Sequence, residues 1–286
     1  MKRRLFAIFL VTAAAQAAEL RVVGSDLLGL DFSKELYAFA GRADLRLALA
    51  LDGSRPGLDE LKAGRADLGL LVFAPGEEAG AVAFERRTIA YHRVVILVPA
   101  AAPLEQLTLD QLGGIFGVGG PHDLSRWGEL GPGPAWAASP ITPRAPTAGA
   151  GLVAEYFRHA VLRDRAFKTN VVRYDQASEL AAIFDGESRA IAFAAGLPSG
   201  ATTAKLVALA ARSGEPAFLP TLENVHSGDY PLGLPLALVF RRESAKVLLP
   251  LLRFLVSDEA APLFERAELA PLPPAIRRQQ RLALEK

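Results

Sequence analysis

Cysteine is absent from all 286 residues of the chain. Its absence excludes disulfide bonds, thiolate metal sites, a cysteine nucleophile and the lipid-modified cysteine that anchors bacterial lipoproteins. A surplus of basic charge is also missing, since 32 Lys and Arg residues are balanced by 31 Asp and Glu residues. This balance argues against nucleic-acid binding, which needs a concentrated positive surface.

Histidine is scarce, and the four histidines show neither HxH nor HExxH spacing, so the sequence predicts no metal site. Apolar residues, in contrast, make up 51% of the chain, against 22% charged residues. This composition supplies a sizeable core and argues against disorder. The length permits one large domain or two of about 100–150 residues each.

The first 18 residues have the pattern of a secretory signal peptide. A basic triplet at residues 2–4 precedes an apolar run from Leu5 to Val11, and Ala15-Gln16-Ala17 supplies the small residues of a cleavage site. The apolar run is too short to span a membrane, which takes about 20 residues. We predict a signal peptide over residues 1–18, cut after Ala17 or Ala18, and a mature protein in the periplasm without a lipid anchor. The alternative is a buried N-terminal helix.

Short glycine-containing loops follow the first two strands of the mature chain. A strand at residues 20–23 runs into Gly24-Ser25-Asp26, and a strand at residues 45–51 runs into Asp52–Gly57. Each loop leads into a helix, and a third apolar strand follows at Asp67–Phe73. This alternation is typical of a parallel α/β sheet, in which such loops meet at the carboxyl ends of the strands.

A third loop, Ile141–Gly151, contains one arginine and two glycines and is followed by an amphipathic run from Leu152. The start of a helix offers unpaired backbone N–H groups that suit an anion, and Arg144 could add a two-pronged charge-assisted bond. The alternative interpretation is an ordinary Pro/Gly loop with a surface arginine.

The remaining pattern predicts an α/β chain that crosses twice between two lobes. The apolar strand Val94–Val98 runs into a proline-rich segment that we take as the first crossing, and the return is placed after Gly196-Leu197-Pro198. We predict lobe 1 over residues 19–98 and 197–286 and lobe 2 over residues 99–196. Further predicted elements are strands at residues 171–174, 190–195 and 236–240, and helices at 107–116 with Thr108 as N-cap, 152–161, 178–184, 249–256 and 260–267. The helix at 249–256 is started at Leu249 because Pro250 is acceptable in a first turn.

Four segments resemble the phosphate-binding proteins of bacterial ABC importers, which have the type II periplasmic binding protein fold. The most specific is Glu223–Leu232 (ENVHSGDYPL), and the others are Leu107–Gly117 (LTLDQLGGIFG), Trp127–Gly131 (WGELG) and Gly64–Gly69 (GRADLG). The resemblance covers nearly all of the mature chain. It implies two α/β lobes joined by two crossover segments, with a ligand cleft between them.

The resemblance also implies which residues hold an anion. The implied ligand-binding residues are Gly24, Ser25, Asp26, Gly53, Ser54, Arg55, Arg144, Thr147, Ala148, Gly149 and Ala150. The chain departs from the family pattern at three places: Arg55 replaces a glycine, alanines replace both hydroxyl residues of the Ser-Gly-Thr triplet, and Leu70–Pro75 lacks a polar side chain. Each lost charge-assisted hydrogen bond removes roughly 1.5–3 kcal/mol. Tight phosphate binding in the usual mode is therefore not expected.

We predict that the protein captures a small anion, phosphate or another oxyanion, and that its closed form docks on an ABC permease. The resemblance implies a monomer that needs no cofactor and carries out no covalent chemistry. One alternative is a periplasmic sensor or interaction protein that keeps the scaffold with an altered or lost anion site. An enzyme built on Ser25 and a histidine is a further alternative, although the chain has no GxSxG motif. Ser25 and Ser54 could also be simple helix caps.

Overall fold

The computed structural model describes residues 19–73, 83–131, 133–147, 152–186, 189–197 and 202–284. The predicted signal peptide, residues 1–18, lies outside the described residues, as do Ala148, Gly149 and Ala150. None of the helices in the described ranges is long and apolar enough to cross a bilayer.

The chain alternates strands and helices. The strands are β1 (Leu20–Gly24), β2 (Leu47–Ala50), β3 (Leu68–Val72), β4 (Glu85–Arg93), β5 (Val95–Pro99), β6 (Gln106–Thr108), β7 (Thr142–Pro146), β8 (Val172–Tyr174), β9 (Ala190–Ala194), β10 (Ala204–Leu206), β11 (Ala208–Ala210), β12 (Gly233–Phe240) and β13 (Ala270–Pro271). The α-helices are α1 (Gly29–Arg42), α2 (Ser54–Lys62), α3 (Leu109–Phe116), α4 (Pro134–Ala137), α5 (Leu152–Ala160), α6 (Glu179–Gly186), α7 (Leu222–Ser227), α8 (Ala245–Leu255), α9 (Ala261–Arg266) and α10 (Pro274–Ala283). Short 3₁₀ turns lie at Asp26–Leu28, Trp127–Leu130 and Arg242–Ser244.

Lobe 1 is built on a sheet with the strand order β13-β4-β12-β3-β1-β2. β1 is parallel to both β2 and β3, whereas β12 is antiparallel to β3 and to β4. Because β4 is therefore parallel to β3, the carboxyl ends of β1, β3 and β4 lie at the same edge. β3 is buried along its whole length, as expected for a central strand with helices on both faces.

Lobe 2 is built on a second sheet with the order β10-β5-β9-β7-β8. β7 is parallel to β8 and β9, and β5 is antiparallel to β9 and β10. This arrangement differs from the prediction, which placed Val94–Val98 at the end of lobe 1 and the return to lobe 1 at residue 197. β5 and β10 pair within the second sheet, because β5 forms hydrogen bonds with β9 and β10 instead of continuing alongside β12. The chain therefore leaves the first sheet at Val94 and returns to it after β11.

The two crossing segments contact each other at the junction of the lobes. Val94 lies between the end of β4 and the start of β5, and its N–H donates to the Leu232 carbonyl at 3.0 Å. The buried Tyr230 hydroxyl donates to the Val94 carbonyl at 2.7 Å, and burial raises the pKa of this phenol far above its usual value. The segment that carries the closest family resemblance, Glu223–Leu232, is thus a structural support at the hinge.

Two α-helices begin earlier than the sequence predicts, and α3 begins later, at Leu109, because Gln106–Thr108 forms β6. α2 begins at Ser54 and not at Leu58, because Gly53 adopts φ 127° and turns the chain directly into the helix. α8 begins at Ala245 and contains Pro250 in its interior, so the predicted start at Leu249 is wrong. An interior proline costs about 3 kcal/mol. α8 offsets this cost by burying leucines, each worth roughly 1.5–3 kcal/mol, namely Leu248, Leu251, Leu252 and Leu255.

The N-cap predicted for α3 is confirmed. The Thr108 hydroxyl accepts from the Gln111 N–H at 3.1 Å, and the Gln111 side chain accepts from the Thr108 N–H at 2.9 Å. This reciprocal capping box satisfies two backbone donors that the first helical turn leaves unpaired. Downstream, Trp127 is fully buried and its indole N–H donates to the Arg189 carbonyl at 3.1 Å. These contacts hold the long connection of lobe 2 against its sheet.

The hinge contact yields a stability prediction. Tyr230→Phe removes the hydroxyl and leaves the Val94 carbonyl without this donor, so the free energy of unfolding should fall by about 1–3 kcal/mol. Urea denaturation would measure the loss. Tyr37→Phe is the matched control: Tyr37 is 46% exposed, and its hydroxyl accepts from the Leu49 N–H at 3.3 Å, an exposed bond that water can replace, so the change should stay within about 0.5 kcal/mol. Equal losses in the two variants would contradict the importance given to the hinge bond.

Candidate ligand-binding cleft

A cleft with a volume of about 1140 Å³ separates the two lobes. It exceeds the range of about 300–1,000 Å³ usual for small-molecule sites, so it has room for more than a four-oxygen ion. Lobe 1 contributes Ser25, Asp26, Leu27, Ser54, Arg55, Val72, His92, Leu234, Ala267 and Glu268 to its lining. Lobe 2 contributes Leu152, Val153, Glu155, Tyr156, Arg158, His159 and Asp164.

The loop after β1 brings a serine to the cleft. The Ser25 N–H donates to the Leu70 carbonyl at 2.8 Å, and its hydroxyl oxygen accepts from the Leu27 N–H at 3.3 Å. Only 2% of Ser25 is exposed. Gly24 is required just before it, because a Cβ at that position would collide with the Leu70 carbonyl oxygen. The predicted loop residues Gly24, Ser25 and Asp26 therefore have a defined position, and Asp26 adds an exposed carboxylate to the lining.

The loop after β2 is tied to the first loop by the backbone. The Gly53 N–H donates to the Gly24 carbonyl at 2.8 Å, which brings Ser54 to the same edge of the sheet as Ser25. The Ser54 hydroxyl oxygen accepts from the Val72 N–H at 2.9 Å. Gly53 is the N-cap of α2 and has no side chain to cap its first turn. The structure thus brings together five of the predicted ligand residues from the two loops, together with Arg55.

The hydroxyl groups of Ser25 and Ser54 can each donate a hydrogen bond to a ligand. Each hydroxyl oxygen already accepts a backbone N–H, from Leu27 in one case and from Val72 in the other. A hydroxyl has one proton to donate, and neither proton goes to an acceptor among the described residues. Both protons are therefore available to an oxyanion. The positive end of α2 and the charge of Arg55 favour negative charge on the same side of the cleft.

The predicted residues of lobe 2 are placed differently. Arg144 lies on β7, which is the strand between β8 and β9, and is half-buried; burial lowers the pKa of its guanidinium. It is not among the described residues that line the cleft. The Thr147 hydroxyl donates to the Asp175 carboxylate at 2.6 Å. The roles of Arg144 and Thr147 as ligand residues, like those of Ala148, Gly149 and Ala150 outside the described residues, stay predictions.

The lobe 2 wall of the cleft is formed by α5. Four cleft residues on this helix recur with the spacing i, i+3, i+4 and i+7, namely Leu152, Glu155, Tyr156 and His159. The Tyr156 hydroxyl donates to the Gly233 carbonyl at 3.1 Å, and burial raises its pKa to about 12. This bond joins α5 of lobe 2 to the start of β12 in lobe 1. Sequence reasoning identified the helix but missed that this face, with its polar members, borders the site.

An ion network covers part of the same wall. The Arg158 guanidinium lies 3.2 Å from a Glu155 carboxylate oxygen and 3.0 Å from an Asp164 carboxylate oxygen. His159 Nδ1 lies 3.2 Å from the second oxygen of Asp164. The positive charge of Arg158 is therefore already balanced by two carboxylates. Nowhere in the described ranges do three His, Asp or Glu side chains converge so that they could hold a metal ion.

His92 lies where β4 reaches the hinge, and sequence reasoning did not select it. It is 3% exposed, lines the cleft and packs edge-on against the ring of Tyr156 with the centroids 6.2 Å apart. Its Nε2 is buried without a hydrogen-bond partner among the described residues. Burial lowers the pKa of His92 to about 4, so the ring is neutral at physiological pH.

A family model described as the PBP superfamily domain matches residues 11–259 of the chain. The chain belongs to this superfamily. No curated protein matches it in sequence. Solved structures do match: a "possible phosphate binding protein" from Planctomyces limnophilus shares 20% identity over 93% of this chain and 98% of its own, with a TM-score of 0.68.

Two further structures have the same architecture. An ABC-type phosphate transport receptor from Vibrio cholerae shares 18% identity over 89% of this chain and 100% of its own, with a TM-score of 0.63. PstS from Borrelia burgdorferi shares 13% identity over 89% of this chain and 99% of its own, with a TM-score of 0.70. The predicted fold of two α/β lobes, as in phosphate-binding proteins of ABC importers, is confirmed.

Burial of His92 predicts a pH dependence of stability. Its pKa in the folded protein, about 4, is below the ordinary value of 6.5, so below pH 6.5 the unfolded chain binds a proton that the folded protein resists. The stabilisation is complete above about pH 6.5 and is lost as the pH falls towards 4. Between about pH 7 and pH 4.5 it should decrease by about 2–3 kcal/mol.

The variant His92→Phe keeps an aromatic ring at this position but cannot titrate. Urea denaturation of both proteins at the two pH values would isolate the histidine contribution, because the carboxylates that both proteins share cancel in the comparison. The same pH-dependent loss in wild type and variant would contradict the assignment.

Proposed function

We propose that this protein is a periplasmic substrate-binding protein of the phosphate-binding type, which captures a small oxyanion between its lobes and delivers it to an ABC permease. The observation that carries the proposal is the pairing of Ser25 and Ser54. Their hydroxyl groups lie on loops joined by the bond from Gly53 to Gly24, and both face the interlobe cleft as donors.

Capture begins on lobe 1. The oxyanion accepts from the two serine hydroxyls, and the N-terminus of α2 together with Arg55 stabilises its charge. Rotation about the hinge near Val94 and Tyr230 then brings lobe 2 over the ligand, with Arg144 as the second cation of the closed form. Closure needs no covalent step, and the permease recognises the closed shape.

The absence of a polar side chain near the end of β3 changes which anion fits. Val72 lines the cleft, and Phe73 beside it is also apolar and buried. Among the described residues at the end of β3, none carries a carboxylate that could accept the proton of hydrogen phosphate. A proton of hydrogen phosphate that points at this apolar end of β3 finds no acceptor there, which favours a fully ionised oxyanion or one whose organic substituent faces this wall.

Calorimetric titration of the mature protein with phosphate, sulfate and ethylphosphonate tests the proposal. Ser54→Ala should weaken the best ligand about 10- to 100-fold, since a hydrogen bond to a charged group contributes roughly 1.5–3 kcal/mol. Ser33→Ala is the matched control, because the Ser33 hydroxyl is exposed on α1 and donates to the Gly29 carbonyl at 2.9 Å.

Two outcomes would count against capture of an anion by lobe 1. Unchanged affinity in Ser54→Ala would remove the serine pair from the site. Silence towards every anion would favour the alternative of a periplasmic sensor or interaction protein on the same scaffold. Thermal unfolding of Ser54→Ala should be measured alongside, because the variant also leaves the Val72 N–H without its acceptor.

A further inference from the structure

The charges around the cleft do not match a purely anionic ligand. Among the described residues that line it are two arginines and four carboxylates, so the lining is negative as a whole. His92 and His159 add no positive charge when neutral. Phosphate and similar ions are themselves negative, and like charges repel strongly when a closing cleft excludes water.

Each lobe contributes two carboxylates and one arginine to the lining: Asp26, Glu268 and Arg55 on lobe 1, and Glu155, Asp164 and Arg158 on lobe 2. Ser25, Ser54 and Arg55 favour an anion on lobe 1, as argued above. On the opposite wall Arg158 is held by Glu155 and Asp164, so this network has one more negative charge than positive charge. A ligand that bridges the cleft therefore meets the serine hydroxyls and Arg55 on lobe 1, with Asp26 beside them, and the carboxylates of the Arg158 network on lobe 2.

Glu268 adds to the acidic end. It lies in the turn between α9 and β13, and it lines both the main cleft and a second cavity of about 370 Å³ next to it. Within the described ranges its carboxylate has neither an ion pair nor a hydrogen bond. Glu268 also acts electrostatically on lobe 2. The pKa of Tyr174 is raised mainly by burial and, to a smaller extent, by the negative charge of Glu268. Its φ of 58° is a conformation that costs a non-glycine residue roughly 1–2 kcal/mol.

The floor and walls between these ends suit a short carbon chain. Leu27, Val72, Leu152 and Leu234 line the cleft with apolar surface. His92 at the floor supplies a buried ring nitrogen that has no partner among the described residues. A neutral imidazole nitrogen can accept from an ammonium group or donate to an oxyanion without adding charge.

We propose that the ligand is amphoteric, with an oxyanion and a protonated amine on one short carbon chain. The oxyanion binds between Ser25 and Ser54, and the amine binds towards Glu268 and the carboxylates of α5 and its following turn. An aminoalkyl phosphonate has this chemistry, and an amino carboxylate is the other member of the class. The inference rests on the proposed function and specifies its ligand.

Two matched pairs of compounds test it by calorimetry: ethylphosphonate with 2-aminoethylphosphonate, and propionate with β-alanine. In at least one pair the amine should raise affinity about tenfold or more. Glu268→Gln should reduce that preference about three- to tenfold. The affinity for the compound without the amine should stay the same or rise. Glu243→Gln is the control, because Glu243 is exposed on a 3₁₀ turn and does not line the cleft.

The outcomes separate this inference from the proposed function. If ethylphosphonate and propionate each bind as tightly as their amine counterparts, or if only phosphate binds, and Ser54→Ala still weakens the ligand that binds, the anion site stands and the amphoteric ligand is refuted. If the amine raises affinity equally in Glu268→Gln and in the wild type, the assignment of the acidic end is refuted. If none of these compounds binds, both proposals fail.

Discussion

The bond from the Tyr230 hydroxyl to the Val94 carbonyl joins the two chain segments that pass between the lobes. A second bond, from the Val94 N–H to the Leu232 carbonyl, joins the same two crossing segments. In a buried place such bonds strengthen, because water does not compete for the donors and acceptors. This joined pair of crossings is the place about which the lobes would turn in the proposed closure.

The position of the hinge also explains which side chains reach the cleft. β4 ends and β12 begins beside it, so His92 and Leu234 come to the cleft floor as direct neighbours of the crossing residues. Tyr156 reaches the same level from lobe 2 and bonds to Gly233. The serine loops lie further out, at the carboxyl ends of β1 and β2. In the proposed closure, a ligand held by these loops would contact lobe 2 in the closed state, so its binding could favour that state.

The fold could be predicted because its sequence patterns are local or match those of a known family. Much of the candidate site could not be predicted from the sequence. Strand, glycine loop and helix follow each other directly around Gly24 and Gly53, so the lobe 1 loops were placed correctly. β4 was missed because its sequence, ERRTIAYHR, mixes charged with apolar residues. α8 continues through Pro250 because the burial of its leucines outweighs the cost of an interior proline. The face of α5 could have been found from its helical spacing, but Glu268 could not, because it lies in a turn without a periodic pattern and reaches the cleft only through tertiary packing.

Closure of the cleft constrains the chemistry of its ligand more strongly than the open form shows. When water leaves, a carboxylate must find a counter-charge or pay a desolvation penalty of several kcal/mol. Arg158 already supplies that charge for Glu155 and Asp164, but Glu268 has no such partner among the described residues. Closing over a simple anion would bring two negative charges together and favour the open state. In the proposed closure, a ligand with its own ammonium group turns the same carboxylate into an attraction and removes this repulsion.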